Sequence, residues 1–401
     1  MKKIAFLLWF SCCGCTLFAQ KSAKTPAAAP NPYADIDWKM ALVPDSQAKT
    51  TAGIAAYVNE HFHTDQDKTR AIFVWTATHI DYDLDNMFAI NFYEKPEEKI
   101  NKPLRTGKGI CENYAAVFSD ICNKAGIQSY EIVGYTRQNG FTDFIPHAWC
   151  AALVDNTWYL FDPTWGSGYI SNKKFVRRIN NGYYKASPAT LIKSHMPFDP
   201  MWQFLEHTVS SREFYEEHID PDDSKPLFSY RDSIAAYNLM DTTEQLTTAA
   251  GRIERNGVKN AMVYDRLRHI KAELEHIRQN KAVDLYNTAG VDYNDGINTY
   301  NEFVSYWNKQ FTPKKSDPEI QAMIDKPLAK FAEARAKLAQ LKDADPNIHT
   351  MAQQLTRSID EAEGQVKEKE TWLKKYFAQN KSGRKSMFYT YKVTFFGKPI
   401  N

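Results

Sequence analysis

The stretch Thr106-Gly107-Lys108-Gly109-Ile110-Cys111-Glu112-Asn113-Tyr114-Ala115-Ala116-Val117-Phe118 breaks the chain twice with glycine and then starts a helical pattern at once. The thiol of Cys111 is therefore expected in the first turn of a helix. Backbone N–H groups there, with the positive end of the helix dipole, favour the thiolate, the form that attacks carbonyl carbon. The same N–H groups can hold an oxyanion. Cys111, Ala115, Phe118, Cys122 and Ala125 share one stripe, so the helix body is expected in the core, with Cys122 as a packing residue.

Downstream, Ile145-Pro146-His147-Ala148-Trp149-Cys150-Ala151-Ala152-Leu153-Val154 meets a turn at Asp155-Asn156 and continues as Thr157-Trp158-Tyr159-Leu160-Phe161-Asp162-Pro163. This reads as a β-hairpin. If Val154 pairs with Thr157, Trp149 faces Asp162, and His147 lies diagonal to Asp162 on the same face. Asp162 would then orient the imidazole, whose other nitrogen takes the proton of Cys111. Taken singly, a cysteine on a helix, a lone histidine and an aspartate before proline are more often core, surface and turn residues. The combination is what points to chemistry.

Around this constellation, residues 37–206 mix helical and alternating patterns, as expected of an α+β domain. A helix is expected after Thr64, an N-cap with Asp67 three residues on, with Ala71, Ile72, Trp75 and Thr78 on one face. A connector over 207–230 leads to a helical domain over 231–380. There Val263, Leu267, Ile270, Leu274 and Ile277 form one stripe, Phe331, Ala334, Leu338 and Leu341 a second, and Met351, Leu355, Ile359, Ala362, Val366 and Leu373 a third. The last two, separated by Asp343-Ala344-Asp345-Pro346-Asn347, are expected to pack as an antiparallel hairpin. Asp292-Tyr293-Asn294-Asp295-Gly296 looks like a calcium loop, but its glycine comes one place early and the ligand spacing fails. The tail, 381–401, is aromatic and β-prone over Met387 to Phe396 and reads either as a strand or as a hydrophobic end.

Residues 1–20 read as a secretory signal: Lys2 and Lys3, an apolar run from Ile4 to Phe10, and a cleavage region at Thr16 to Gln20. Cys12, Cys13 and Cys15 leave a lipid anchor as the alternative, without a convincing Leu-x-x pattern before any of them. The product is expected to be exported, periplasmic or extracellular, and no segment is long and apolar enough for a transmembrane helix. Residues 21–36 are a proline-rich linker. After removal of the signal only Cys111, Cys122 and Cys150 remain, an odd set that leaves at least one free thiol in an oxidising compartment. The 401-residue chain is 43% hydrophobic, 24% charged and 13% aromatic, which excludes disorder as its main theme. A net charge of +2 offers no concentrated positive surface, so no nucleic acid is expected as a partner.

Gly107-Lys108-Gly109-Ile110-Cys111-Glu112-Asn113-Tyr114-Ala115, His147-Ala148-Trp149 and Trp158-Tyr159-Leu160-Phe161-Asp162-Pro163-Thr164-Trp165-Gly166 together resemble the transglutaminase-like core, whose triad falls on Cys111, His147 and Asp162. Lys68 to Trp75, Ile80 to Asp83, Ser194-His195-Met196-Pro197 and Trp202-Gln203-Phe204-Leu205 are similar to the kyphoscoliosis-peptidase branch, so the chain reads as a bacterial, exported member. The resemblance covers about residues 60–206. It departs at Cys150, where the family commonly has Asn; lying on the opposite face from His147, Cys150 reads as packing, not as a second nucleophile. The resemblance implies a papain-like fold, a thiol-bearing helix on an antiparallel sheet, and chemistry on amides through an acyl-thioester, with no metal and no cofactor. It also implies an upstream aromatic residue at the oxyanion, for which Tyr82 is the candidate beside a plain packing role. Trp149 and Trp165 flank the proposed site as pocket wall or as packing. Three functions stay open: a cysteine peptidase or amidase on protein, peptide or cell-wall peptide; a protein cross-linking acyltransferase; and a binding module whose helical half meets another protein. The missing calcium pattern and the branch both lean toward hydrolysis.

Overall fold

The computed structural model describes residues 31–389 except 92–93, 139, 220–221 and 343, and beyond these a short strand pair at 394–395 and 398–399. In chain order the elements are α1 (Ala34–Met40), α2 (Asp45–Ala48), α3 (Thr51–His61), α4 (Asp65–His79), β1 (Asp81–Tyr82), α5 (Pro96–Thr106), β2 (Lys108–Gly109), α6 (Cys111–Lys124), β3 (Ser129–Gln138), β4 (Phe141–Val154), β5 (Thr157–Phe161), α7 (Pro163–Ser167), β6 (Gly168–Ser171) and β7 (Lys174–Arg177). They continue as α8 (Pro188–Leu191), β8 (His195–Pro197), α9 (Ser211–Tyr215), α10 (Tyr230–Tyr237), α11 (Thr242–Asn256), α12 (Ala261–Asn308), α13 (Asp317–Leu338), α14 (Pro346–Phe377) and α15 (Lys381–Ser386). The main sheet is antiparallel in the order β5-β4-β3-β8. An α+β core followed by a helical region is the class the sequence implied. The expected signal and most of the linker lie outside the described residues, as do Thr390 to Val393 and Phe396 of the tail. Among the described residues no helix is long and apolar enough to cross a membrane.

The described residues divide into two bodies by packing: those of 31–131 with 149–186, and those of 132–148 with 187–389. In the first, Thr64 caps α4 as expected, its Oγ1 accepting the Asp67 N–H at 3.1 Å. The helix is not one-faced, however. Thr69 to Ala77 are all buried, because α1, α3, α6 and α7 pack around it. The buried charge of Arg70 is matched by Asp37 through Nε and Nη2 at 2.7 and 2.6 Å and by Asn181 at 2.7 Å, with the Tyr33 ring 4.3 Å from its guanidinium. Helix α6 docks on the strands by Phe118 against Phe161, with ring centroids 5.1 Å apart, and by the chain Ser119 to Ser129 to the Ala151 carbonyl, each step 2.8 Å.

In the second body α12 is a single helix of 48 residues, roughly 70 Å at the usual rise. Its first half does not close on itself. Val263, Leu267 and Ile270 share a core with Tyr135 of β3, Met196 of β8 and Phe198, and with Ile253 of α11. Its second half packs with α13 and α14, which run antiparallel as expected, around Phe303, Phe331, Ile359 and Val366. Met351 is exposed and Leu355 half-buried, so the third stripe is narrower than expected. Asp292 sits in mid-helix, held by Lys337 at 2.6 Å with Lys330 at 3.8 Å, an arrangement that agrees with rejecting a calcium loop. Phe388 of the tail joins the rings of Trp307, Phe311, Trp372 and Tyr376.

Candidate functional site

Cys111 opens α6, and the local sequence explains why the helix starts there. Gly107 ends α5 at φ +67, its N–H donating to the Pro103 carbonyl at 2.8 Å. A Cβ on Gly109 would stand 2.7 Å from the Asn113 Cβ, so this position has no room for a side chain. Asn113 Oδ1 accepts the Ile110 N–H at 2.9 Å, fixing the residue before the thiol. Glu112, a buried carboxylate next to Cys111, is offset by Lys99 at 3.2 Å.

The pairing of β1 with β2 sets Tyr82 opposite Gly109. Burial pushes the Tyr82 phenol up from its ordinary value, and the charges of Cys111, Asp162 and Asp83 push it further. Tyr82 therefore stays a neutral O–H donor within electrostatic range of both Cys111 and Asp162. The hairpin has the expected register, Val154 opposite Thr157 through Cys150 opposite Phe161, around a turn in which Asp155 and Asn156 take φ values of 49 and 60. Asp162 follows the last paired residue. Its Oδ1 accepts the N–H groups of Thr164 and Trp165 at 2.8 and 3.0 Å, capping α7 and fixing the fully buried carboxylate. Trp149 is 1% exposed and belongs to the packed interior. Trp165 is half-buried and meets the Tyr183 ring edge-on at 5.4 Å.

Cys122 and Cys150 are both fully buried, and burial raises both thiols well above their ordinary value. Cys150 Sγ lies 3.4 Å from the Ala115 carbonyl, as a packing role requires.

On the strands of the second body, His147 of β4 and His195 of β8 are buried, with ring centroids 5.5 Å apart and planes inclined by 59°. His147 and His195 thus stand together in this body, and Asp162 is buried in the other. The sequence reading names His147 and Asp162 and gives His195 no role. The only signal for it is its place in Ser194-His195-Met196-Pro197; its neighbour is set by β8 pairing with β3, a long-range feature.

Residues 52–163 match the family model described as the transglutaminase-like superfamily. This segment is a transglutaminase-like domain. Over 180 residues the chain is 33% identical to the kyphoscoliosis peptidase of Mus musculus and to that of Homo sapiens, covering 42% of this chain and 27% of each relative. It is 23% identical over 207 residues to hillarin of Drosophila melanogaster, covering 46% of this chain and 24% of that one. The chain thus spans about a quarter of the length of these curated relatives, and the domain is of the kyphoscoliosis-peptidase-like branch. A crystal structure of a TGase is similar over 39% of this chain and 38% of its own, at 20% identity and a TM-score of 0.23, too low to carry an argument.

Proposed function

We propose that this chain is an exported thiol enzyme that cleaves amide bonds in protein or peptide substrates through an acyl-thioester. The observation that carries this reading is a thiol that opens α6 and a fully buried Asp162 fixed by the cap of α7, both inside a transglutaminase-like domain. His147 takes the proton of Cys111, whose sulfur bonds to the substrate carbonyl carbon while the C–N bond breaks and the leaving amine takes the proton from His147. Water then gives a proton to His147, its oxygen bonds to the acyl carbon, and the C–S bond breaks, releasing a carboxylic acid and the thiol. Asp162 holds the imidazole and offsets its charge when protonated. The helix-start N–H groups of α6 and the Tyr82 hydroxyl serve the oxyanion. Export is inferred from the signal-like residues 1–20.

The test incubates the purified full chain with casein and a fluorescent primary amine, following peptide release and label incorporation together. Peptide release that falls at least about 10³-fold in Cys111→Ala, with folding unchanged by circular dichroism, is expected. Asp162→Asn should lose roughly 10² to 10⁴-fold, keeping the nucleophile but disturbing the histidine. Wild-type rates in Cys111→Ala would remove the thiol mechanism. Cys111-dependent incorporation without hydrolysis would assign the domain to acyl transfer instead.

A further inference from the structure

We propose that His195 is a positioning residue for His147, fixing the plane of the base; the inference rests on the proposed role of His147. A base of this kind works only when one ring nitrogen is aimed at the thiol, so rotation of its ring must be blocked. One carboxylate oxygen of Asp162 is already committed to the two N–H groups that cap α7. Orientation of His147 therefore gains from a second support, and His195 is built as one.

Three links immobilise it. Its backbone pairs with Thr136 in the β3–β8 ladder, its Nδ1 lies 2.8 Å from Ser194 Oγ, and its side chain is 1% exposed. Because cross-strand partners share a face, His195 and Thr136 point the same way. Thr136 Oγ1 donates to Asp143, and alternation along β4 puts Asp143, Ile145 and His147 on that face too. The two imidazoles meet at 5.5 Å and 59°, a tilted contact in which His195 presents a rigid wall to a ring held on the neighbouring strand system. Among the described residues of this body, the titratable group on this face besides the two histidines is Asp143, which Gln138 Nε2 also reaches at 3.1 Å.

With a loosened His147, the proposed base takes the proton of Cys111 less readily, and attack by the thiol should slow. The experiment uses the full chain as wild type, His195→Phe, His195→Gln, Ser194→Ala and the control His147→Ala. It measures the rate of Cys111 alkylation by iodoacetamide near neutral pH, and kcat and KM for casein hydrolysis. His195→Phe should lower kcat about 10- to 100-fold with KM nearly unchanged, and slow the alkylation of Cys111. His195→Gln, which keeps a polar group, should fall between it and wild type. Wild-type kcat and alkylation rates in both variants would overturn the inference. If His195→Phe does not fold by circular dichroism, Ser194→Ala decides: it leaves the ring but unties Nδ1, so a smaller change in the same direction supports the inference and unchanged rates overturn it. Should His147→Ala itself behave as wild type, the base assignment falls with everything built on it; if His147→Ala is inert while the His195 variants are silent, only the present inference falls.

Discussion

Of the 14 residues of α6, 11 are buried, whereas of the 48 residues of α12 only ten are. The thiol helix is enclosed on nearly every side, by α3, α4, α5 and α7 as well as by the strands. The long helix shows one stripe to its neighbours and the rest to solvent. A helix enclosed in this way cannot shift without displacing close-packed neighbours, which suits the role proposed for Cys111. A helix buried along one stripe tolerates change on most of its surface and draws its stability from length and from the partners of that stripe.

The largest effect that tests this contrast is a matched pair of truncations. Phe118→Ala removes a fully buried ring tilted against Phe161 and should cost about 3–5 kcal/mol. Val283→Ala on α12, 45% exposed, should stay within about 0.5 kcal/mol. Urea unfolding followed by circular dichroism measures both. Equal costs would mean that the two helices are not held in different ways.

The same contrast explains what could be read from the sequence. The stripes of α12, α13 and α14 were legible because a one-sided helix carries a period, and so was the antiparallel pairing of the last two. The all-round burial of α4 was not: Thr69, Arg70 and Thr76 break any apolar stripe, and Arg70 is accommodated only because Asp37 and Asn181 come from 33 and 111 residues away. For α6 the punctuation by Gly107 and Gly109 substituted for a period and located the helix start. The hairpin register followed from Asp155-Asn156, a local turn signal. His195 had no such signal, because strand order is fixed by contacts remote in sequence. The continuity of α12 beyond Ile277 was not read, because no named stripe carries it there; Gly290 and Gly296 are tolerated inside the helix.

Gly296 is where α12 behaves as α6 does. A Cβ there would meet the Phe331 ring at 2.4 Å, so the glycine is required by the close approach of α13, not by its backbone angle. Gly296→Ala should therefore destabilise the helical region by about 1–3 kcal/mol, the usual cost of overpacking. Hydrogen exchange of peptides from α12 and α13 should rise together. A change confined to α12 would show that the Phe331 ring moves aside at little cost.

Gly290, six residues earlier, offers the opposite case and the smallest effect. It lies in the interior of the same helix, half-buried, and a Cβ built on it meets nothing within 4 Å. Alanine there loses no packing and limits the freedom of the unfolded chain, so the helix should gain roughly 0.5–1 kcal/mol. The gain should appear as slower exchange in peptides around residue 290, with casein hydrolysis and the alkylation of Cys111 unchanged. It should also add to the loss in Gly296→Ala only in part, since the two positions are close on one helix and share its local opening. A destabilised Gly290→Ala protein would mean that this face of α12 is covered by something other than solvent, and the contrast with α6 would then hold only for the first half of the long helix.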